Sequence, residues 1–470
     1  MLSSERRGRI RGAGTPDAAA RVRWLLAEKV SRALAAPPVH PEEERVARIS
    51  VDAGPEDALA WLREQRSYPR VYWSGRDGGA QNAAAGAADL QTGDGPEDVG
   101  VLGKRLRAAD DPEARYYGGG RFDPACGADE GWEPFGAYRF VLPRFELRVE
   151  GPGTTLSCNL LLPRDRGRQE EILAQIEGMR VPSEGGDEPL PEPLYREDAP
   201  DRRGWDENVR RALSAFSEGR LGKVVLARRA GLGFAEDLDG ISVLRELRDA
   251  TPGCFHFYVE PVAGTAFVGA SPERLYRREG RLVASEAVAG TRPRGASTED
   301  DEDLREELLV SEKDRAEHGF VRVGIGEALG PLCEELEVEE GVSEMKTASR
   351  RHLVSGVRAR LRGGVTDAEV LGALHPTPAV GGYPNEAALA DIRALEPFDR
   401  GWWAGPVGWV GADAAEFAVG IRSGLVRGRR LELFSGAGIV AGSRPEEEWA
   451  EIEQKIEDFT GAFGLGNRAR

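Results

Sequence analysis

Two short stretches of the sequence place carboxylates at helical spacing. Glu448 and Glu451 are three residues apart, and Lys455 follows four residues after Glu451. Asp314 and Glu317 repeat the three-residue spacing in a second segment that we expect to be helical. Residues three and four apart lie on the same side of a helix. If the two helix faces meet, four carboxylates and an ammonium group converge.

Converging carboxylates raise one another's pKa values and resist burial. A bound dication would remove this repulsion, and an oxygen donor set without a cysteine or histidine cluster favours Mg²⁺ over zinc. The same spacing also occurs on solvated helix surfaces, and this chain is rich in acidic residues. Spacing alone therefore leaves a magnesium site and an acidic surface as alternatives.

Two further residues are of types suited to proton transfer. Lys223 begins an apolar strand, and a lysine in a dry cleft has a lowered pKa and can act as a base. Glu273 follows small residues and a proline, where a buried carboxyl group could act as a general acid. The alternatives are an ordinary lysine at a strand end and a turn glutamate that pairs with Arg274.

Residues that could bind an anionic ligand occur in three other motifs. Gly436 and Gly438 would let backbone amides approach a ligand closely. Arg422 lies in an apolar segment and could bind a carboxylate of a substrate or of the protein. His375 opens HPTPAVGG, a loop made rigid by two prolines, which suits either a substrate contact or a structural role.

The composition excludes several classes of protein. The chain has 470 residues and a formal net charge of -17, which disfavours nucleic acid and anionic membranes as partners. Its four cysteines (Cys126, Cys158, Cys254 and Cys333) form no CxxC pair, which argues against a disulfide framework or a zinc knuckle. It has no apolar run of about 18 residues and no signal-peptide core. We therefore expect a cytoplasmic protein.

The predicted helices and strands come in mixed order without regular βαβ alternation, which favours an α+β fold. Residues 298–329 are predicted to form one long helix. Residues 1–15 are predicted to be a disordered tail. Residues 181–204 are rich in proline, glycine and acid, and form the best candidate linker. This linker separates an N-terminal part, residues 16–200, from a C-terminal part, residues 201–470.

The order of the motifs resembles that of the chorismate-utilising enzymes, which include isochorismate, anthranilate, aminodeoxychorismate and salicylate synthases. The resemblance covers residues 205–462 and rests on KVVLARR, GASPERL, AVAGTRPRG, SEKDRAEH, HPTPAVGG, GPVG, GIRSG and SGAGIVAGSRPEEEWAE. In the N-terminal part, WSGRDGG resembles the isochorismate-forming branch. The resemblance implies one large α+β unit of two sheets flanked by helices, with chorismate as substrate and Mg²⁺ as cofactor.

The resemblance also implies roles for individual residues. Glu317 and Glu451 match the family's metal ligands, and Asp314 and Glu448 match their supporting acids, although glutamate is common at the position of Asp314. The residue that matches the base activating water is Lys223, and the one that matches the acid protonating the departing 4-hydroxyl group is Glu273. The implied substrate-contacting residues are Thr291, His375, Ala379, Arg422, Gly438 and Lys455. Trp403 stands where relatives often carry a tyrosine that contacts substrate.

Three features favour water over ammonia as the nucleophile. Lys223 stands where anthranilate synthases usually have glutamine, although aminodeoxychorismate synthases keep a lysine. Ala379 stands where aminating and salicylate-forming members have threonine. The chain has no LLES-type tryptophan-binding motif and no glutaminase domain, so we expect no glutaminase subunit.

We therefore expect an isochorismate-forming isomerase that serves menaquinone synthesis. Salicylate synthesis and a siderophore pathway are the nearest alternatives, followed by aminodeoxychorismate synthesis. A non-catalytic chorismate-binding relative is disfavoured because both proton-transfer residues, Lys223 and Glu273, are present.

Overall fold

The computed structural model describes residues 16–37, 44–54, 56–107, 109, 111–127, 129–180, 182, 189–347 and 350–462. Its α-helices are α1 (Pro16–Ala35), α2 (Ala58–Glu64), α3 (Leu102–Arg107), α4 (Gln169–Glu177), α5 (Arg202–Ser217), α6 (Gly240–Ala250), α7 (Thr298–Val310), α8 (Glu312–Leu329), α9 (Asp367–Leu374), α10 (Asn385–Leu395) and α11 (Pro445–Ala462). The predicted tail, residues 1–15, lies outside the described residues.

Antiparallel strands form the rest of the framework. They are β1 (Arg45–Asp52), β2 (Arg70–Ser74), β3 (Gln81–Gly93), β4 (Tyr116–Gly120), β5 (Tyr138–Glu150), β6 (Gly153–Leu162), β7 (Tyr195–Ala199), β8 (Lys223–Gly233), β9 (Phe255–Val262), β10 (Thr265–Ser271), β11 (Arg274–Glu279), β12 (Leu282–Pro293), β13 (Cys333–Val338), β14 (Ser343–Lys346), β15 (Arg350–Leu361), β16 (Gly382–Tyr383), β17 (Pro406–Val410), β18 (Ala414–Val419), β19 (Ser423–Arg427) and β20 (Arg430–Val440).

Strand β5 joins two arms of sheet. One edge of β5 pairs with β3 along its length, whereas the other pairs with β4 over Tyr138–Val141 and with β6 over Phe145–Glu150. The first arm continues from β3 through β2, β9, β10, β19 and β20 to β8. The second runs from β4 through β17, β18, β11 and β12 to β15. The α+β class is confirmed, and the two predicted sheets are continuous through β5.

The N-terminal and C-terminal parts share this framework. β2 pairs with β9, and β4 pairs with β17, so strands from before residue 200 lie between strands from after it. The predicted linker is partly structured: β7 pairs with β8, and α5 starts at Arg202. Residues 181 and 183–188 of that linker lie outside the described residues. The boundary near residue 200 therefore does not divide the sheet.

An aromatic cluster ties the two parts together in the core. Trp132 and Phe135 come from the N-terminal part, and their rings contact each other at 5.3 Å between centroids. Trp132 also contacts Phe267, and Phe135 contacts Trp402, at 5.5 and 5.4 Å. The Trp402 indole donates a hydrogen bond to the carbonyl of Gly136 at 3.1 Å. Burial of such large rings stabilises both parts as one unit.

The predicted long helix over residues 298–329 is wrong in one respect, because it breaks at Ser311. Ser311 has extended backbone angles (φ -63°, ψ 113°), and its Oγ accepts a hydrogen bond from the amide of Asp314 at 3.2 Å. This is the geometry of a helix N-cap. The break starts α8 afresh and places Lys313 and Asp314 in its first turn.

A helix that crosses a membrane has to be both long and apolar. None of the helices in the described ranges is both long enough and apolar enough to cross a membrane.

Candidate active site

A cavity of about 400 Å³ lies between β8, β12 and β20 of the sheet and the helices α8 and α11. Ten of the predicted site residues line it: Glu273, Thr291, Asp314, Glu317, Ala379, Arg422, Gly438, Glu448, Glu451 and Lys455. Two others, Lys223 and His375, do not reach its surface. Most of the predicted site residues therefore lie together on the wall of one cavity.

The four predicted carboxylates, two from α8 and two from α11, meet at this cavity, and each is paired with a cation. The pairs are Lys223 Nζ–Glu317 Oε1 at 3.0 Å, Lys313 Nζ–Glu448 Oε1 at 2.6 Å, Lys455 Nζ–Glu451 Oε1 at 2.6 Å and an Arg292 guanidinium nitrogen with Asp314 Oδ2 at 2.9 Å. The Lys313–Glu448 pair crosses directly from α8 to α11. This ion pair therefore links the two helices across the cavity.

Burial and pairing act in opposite directions on these carboxylates. Burial raises the pKa of Glu448, with Lys313 opposing it and the neighbouring Glu451 adding to it. Burial also works to raise the pKa of Glu451, but Lys455 and Lys313 outweigh it and the pKa is lowered. For Lys313, burial works to lower the pKa, but Glu448 and Glu451 raise it. The cations thus replace the solvation that the carboxylates lose.

The donor set suits a hard dication. Carboxylate oxygens facing one cavity are the ligands that Mg²⁺ prefers, and no thiolate lines the wall. Within the described residues, no three acidic, histidine or cysteine side chains converge as ligands would. Binding of a dication would require the carboxylates to exchange their lysine and arginine partners for it.

Lys223 lies directly behind the cavity wall. Its side chain is fully buried at the start of β8, where Tyr383 and Val440 are its neighbours on the adjacent strands. Although its Nζ lies 3.0 Å from Glu317 Oε1, it has no well-directed hydrogen bond among the described residues. The amine is therefore dry and separated from the cavity by one carboxylate.

Gly438 makes room for this ion pair. A Cβ atom at Gly438 would lie 2.0 Å from Glu317 Oε1 and 3.1 Å from Lys223 Cε. Real Cβ atoms do not approach other atoms to 2.0 Å, so any larger residue would displace the Glu317 carboxylate. The structure thus shows a spatial requirement at Gly438, and the predicted contact of its amide with substrate stays a prediction.

Glu273 lies in the turn between β10 and β11 and is buried. Burial raises its pKa to about 8, and the nearby Glu286 carboxylate adds to this effect. Lys223, Arg76 and Lys455 oppose the shift without cancelling it. Glu273 is therefore protonated at neutral pH, which is the state that a general acid needs.

Two cations, Arg422 and Lys455, lie on the cavity wall. Arg422 has a φ of +50°, which is strained for a residue with a side chain, and its carbonyl accepts a hydrogen bond from the amide of Ala270 at 3.0 Å. Burial, together with Arg350, lowers its pKa to about 10, so it stays charged at neutral pH. Lys455 is fixed by a 2.8 Å hydrogen bond to the carbonyl of Gly436. Arg422 and Lys455 can therefore bind the carboxylates of an anionic ligand.

His375 does not contact the cavity, so the structure gives no support to its predicted role in substrate binding. Its Nε2 lies 3.2 Å from the carbonyl oxygen of Arg121 and 3.0 Å from that of Phe122. Burial lowers its pKa to about 4, so it is neutral and acts as a hydrogen-bond donor there. His375 instead anchors the loop that carries Ala379, which does line the cavity.

The sequence-based prediction missed several polar cavity residues, among them Lys313, Arg292 and His352. His352 lies opposite Thr291 on β15, and the two side chains share a hydrogen bond of 3.0 Å. Burial lowers the pKa of His352 to about 3, so it is neutral. The position of Lys313 beside Asp314 was a usable signal. The other two required knowledge of strand pairing.

Comparison with known proteins identifies the family of the chain. The sequence matches the profile of the family described as chorismate binding enzyme over residues 32–464. The chain belongs to this family. It is 32% identical to isochorismate synthase MenF of Haemophilus influenzae over 88% of this chain and 91% of that protein. It is 35% identical to the chloroplastic isochorismate synthase 2 of Arabidopsis thaliana, over 76% of this chain and 65% of that longer protein.

A solved structure shows the same fold. The menaquinone-specific isochorismate synthase MenF from Escherichia coli superimposes with a TM-score of 0.81 at 30% identity, covering 94% of this chain and 99% of that one. The chorismate-binding family membership predicted from the motifs is therefore confirmed, and with it the conclusion that the chain is an enzyme.

The raised pKa of Glu273 can be measured directly. We expect an infrared band of a protonated carboxyl group at neutral pH that disappears as the pH rises through about 8, since burial delays ionisation to that point. The measurement is the difference spectrum between wild type and Glu273→Gln across this pH range. Absence of such a band at neutral pH would show that Glu273 is ionised and cannot donate a proton.

Proposed function

We propose that the chain is an isochorismate synthase, which converts chorismate to isochorismate by adding water at C2 and losing the hydroxyl group at C4. The observation that carries this proposal is the pairing of two opposite proton-transfer groups at one cavity. Glu273 is held protonated there, and Lys223 lies dry behind Glu317. Similarity to the isochorismate synthases of Haemophilus influenzae and Escherichia coli supports the same reaction.

Substrate binding follows from the charges. Chorismate is a dicarboxylate, and Arg422 and Lys455 provide two cations on the cavity wall. Thr291 and the amide of Gly438 can orient the ligand by hydrogen bonds. The ring then lies between Glu273 and the Lys223–Glu317 pair, which is the arrangement that an addition at one carbon and a departure at another requires.

The two proton transfers balance each other. Lys223 acts as the base in its unprotonated form, and its Nζ lies 3.0 Å from Glu317 Oε1 at the edge of the cavity. The neutral amine accepts a proton from the water that forms the new C2–O bond, the ring double bonds shift, and Glu273 gives its proton to the hydroxyl group that leaves C4. Return of the proton from Lys223 to Glu273 restores both groups.

We further propose that the enzyme uses Mg²⁺. The residues that would hold it are Glu317 and Glu451, with Asp314 and Glu448 in support. Bound Mg²⁺ would neutralise these carboxylates and polarise a carboxylate of the substrate. The oxygen donors on the wall of the cavity support this assignment.

Ala379 on the cavity wall favours the isochorismate product, because its small side chain stands where aminating and salicylate-forming members of the family carry threonine. The menaquinone pathway is the proposed context, supported by the similarity to the menaquinone-specific enzyme of Escherichia coli. A cytoplasmic enzyme acting without a glutaminase subunit completes the proposal.

Product analysis tests the function itself. Purified protein incubated with chorismate and Mg²⁺ is expected to form isochorismate alone, with or without ammonium, and to lose this activity when a chelator is added. Chromatography with mass detection identifies the product. Salicylate with pyruvate would assign the chain to the neighbouring branch, and an amino product would contradict the roles of Lys223 and Ala379.

Replacement of the proposed base separates chemistry from binding. Lys223→Ala is expected to lower kcat by about 10²- to 10⁴-fold, because the water loses its proton acceptor. The affinity for chorismate, measured by calorimetry, should stay close to that of wild type because Lys223 does not line the cavity. Lys104→Ala, at an exposed position, is the control. Wild-type turnover in Lys223→Ala would exclude this lysine as the base.

The metal proposal can be tested without turnover. Glu451→Gln is expected to weaken Mg²⁺ binding in calorimetric titration by about tenfold or more, since one anionic ligand is lost. Glu446→Gln is the matched control, because Glu446 is an exposed residue of the same helix. Equal Mg²⁺ affinity in the two variants would remove Glu451 from the metal site.

A further inference from the structure

The peptide groups on both sides of Glu273 are held by side chains from other parts of the chain. Arg76 donates a hydrogen bond to the carbonyl of Pro272 at 2.6 Å. Glu286 accepts one from the amide of Arg274 at 3.0 Å. These two groups belong to the peptide bonds that precede and follow Glu273, so its backbone is fixed at both ends.

Arg76 and Glu286 are also bound to each other. The two terminal nitrogens of the Arg76 guanidinium, here called its fork, donate hydrogen bonds to the two carboxylate oxygens of Glu286. The bond from Nη2 to Oε2 measures 3.0 Å. The side chains are only 13% and 11% exposed, so water competes weakly for this pair. Arg76 comes from the turn after β2 in the N-terminal part, whereas Glu286 lies on β12. Three distant segments therefore meet at the turn that carries Glu273.

We propose that Arg76 and Glu286 form a clamp that positions Glu273 as the proton donor. Neither side chain is among the residues lining the cavity, so both act through Glu273 and are positioning residues. The inference rests on the proposed function of Glu273 as general acid. A rigid turn matters there because a displacement of about 1 Å can cost about 10²-fold in rate.

The clamp also acts through charge. The charged groups that bear on Glu273 are Glu286 of β12, Arg76 of the turn after β2, Lys223 of β8 and Lys455 of α11. Among these, Glu286 alone disfavours ionisation of Glu273, and the three cations favour it. Removing the negative charge of Glu286 while keeping its shape should therefore lower the pKa of Glu273.

The first variant is Glu286→Gln, which keeps an oxygen to accept from the amide of Arg274. We expect kcat to fall about 10- to 100-fold with KM within about twofold, since the donor is misplaced and substrate contacts are intact. The high-pH limb of the kcat profile should move to lower pH, because Glu273 then ionises more easily. Wild-type kcat together with a wild-type pH profile would overturn the proposal.

Two further variants keep the test interpretable. Arg76→Lys retains the positive charge but loses the guanidinium group that binds the Pro272 carbonyl and both oxygens of Glu286 together. We therefore expect kcat to fall with little change in the pH profile. Glu416→Gln is the matched control, because Glu416 is also 11% exposed but pairs with the side chain of Arg274 and not with a peptide group. An equal loss of kcat in Glu416→Gln would show that any charge lost at this turn has the same effect, and the clamp would be rejected.

The infrared titration of Glu273 separates this inference from the function on which it rests. If the chain forms another product but the carboxyl band of Glu273 titrates at lower pH in Glu286→Gln, the clamp holds and the proposed reaction fails. If isochorismate forms but Glu286→Gln keeps both the wild-type kcat and the wild-type titration of the band, the reaction stands and the clamp is rejected.

Discussion

Compensation of buried charge is the constraint on which the site depends. Asp314, Glu317, Glu448 and Glu451 all line one cavity, and an unpaired charge removed from water is costly. The protein meets this cost with four cations drawn from β8, β12, α8 and α11. Because each of these four carboxylates already has a cationic partner, binding of a dication by them would require these pairs to rearrange.

The sheet framework makes this compensation possible by bringing the backbone close to the charges. Gly438 on β20 leaves the space that the Glu317 carboxylate occupies beside Lys223. The break at Ser311 starts α8 at the position that directs Lys313 toward Glu448 on α11. Both features are local in sequence, but their effect is seen only when β8, β20 and the two helices are assembled.

Much of the fold and the site could be predicted because periodicity and motif order are local signals. The three-residue spacing of Glu448 and Glu451 placed both on the cavity face of α11. The failures were non-local. β7 depends on pairing with β8 and not on its own acidic sequence. His375 resembled a site residue, yet its partners are the carbonyls of Arg121 and Phe122, more than 250 residues away.

The described residues of the N-terminal part support the candidate site without touching the cavity, whose lining starts at Val225. Its contributions are contacts to the backbone or to loops. Arg76 holds the carbonyl of Pro272 beside the proposed acid, and the carbonyls of Arg121 and Phe122 hold His375 at the base of the loop that carries Ala379. The last two contacts are made by carbonyl groups, which any residue can supply, so they do not depend on the side chains at positions 121 and 122. Arg76 is different, because only its fork can bind the Pro272 carbonyl and both oxygens of Glu286 together.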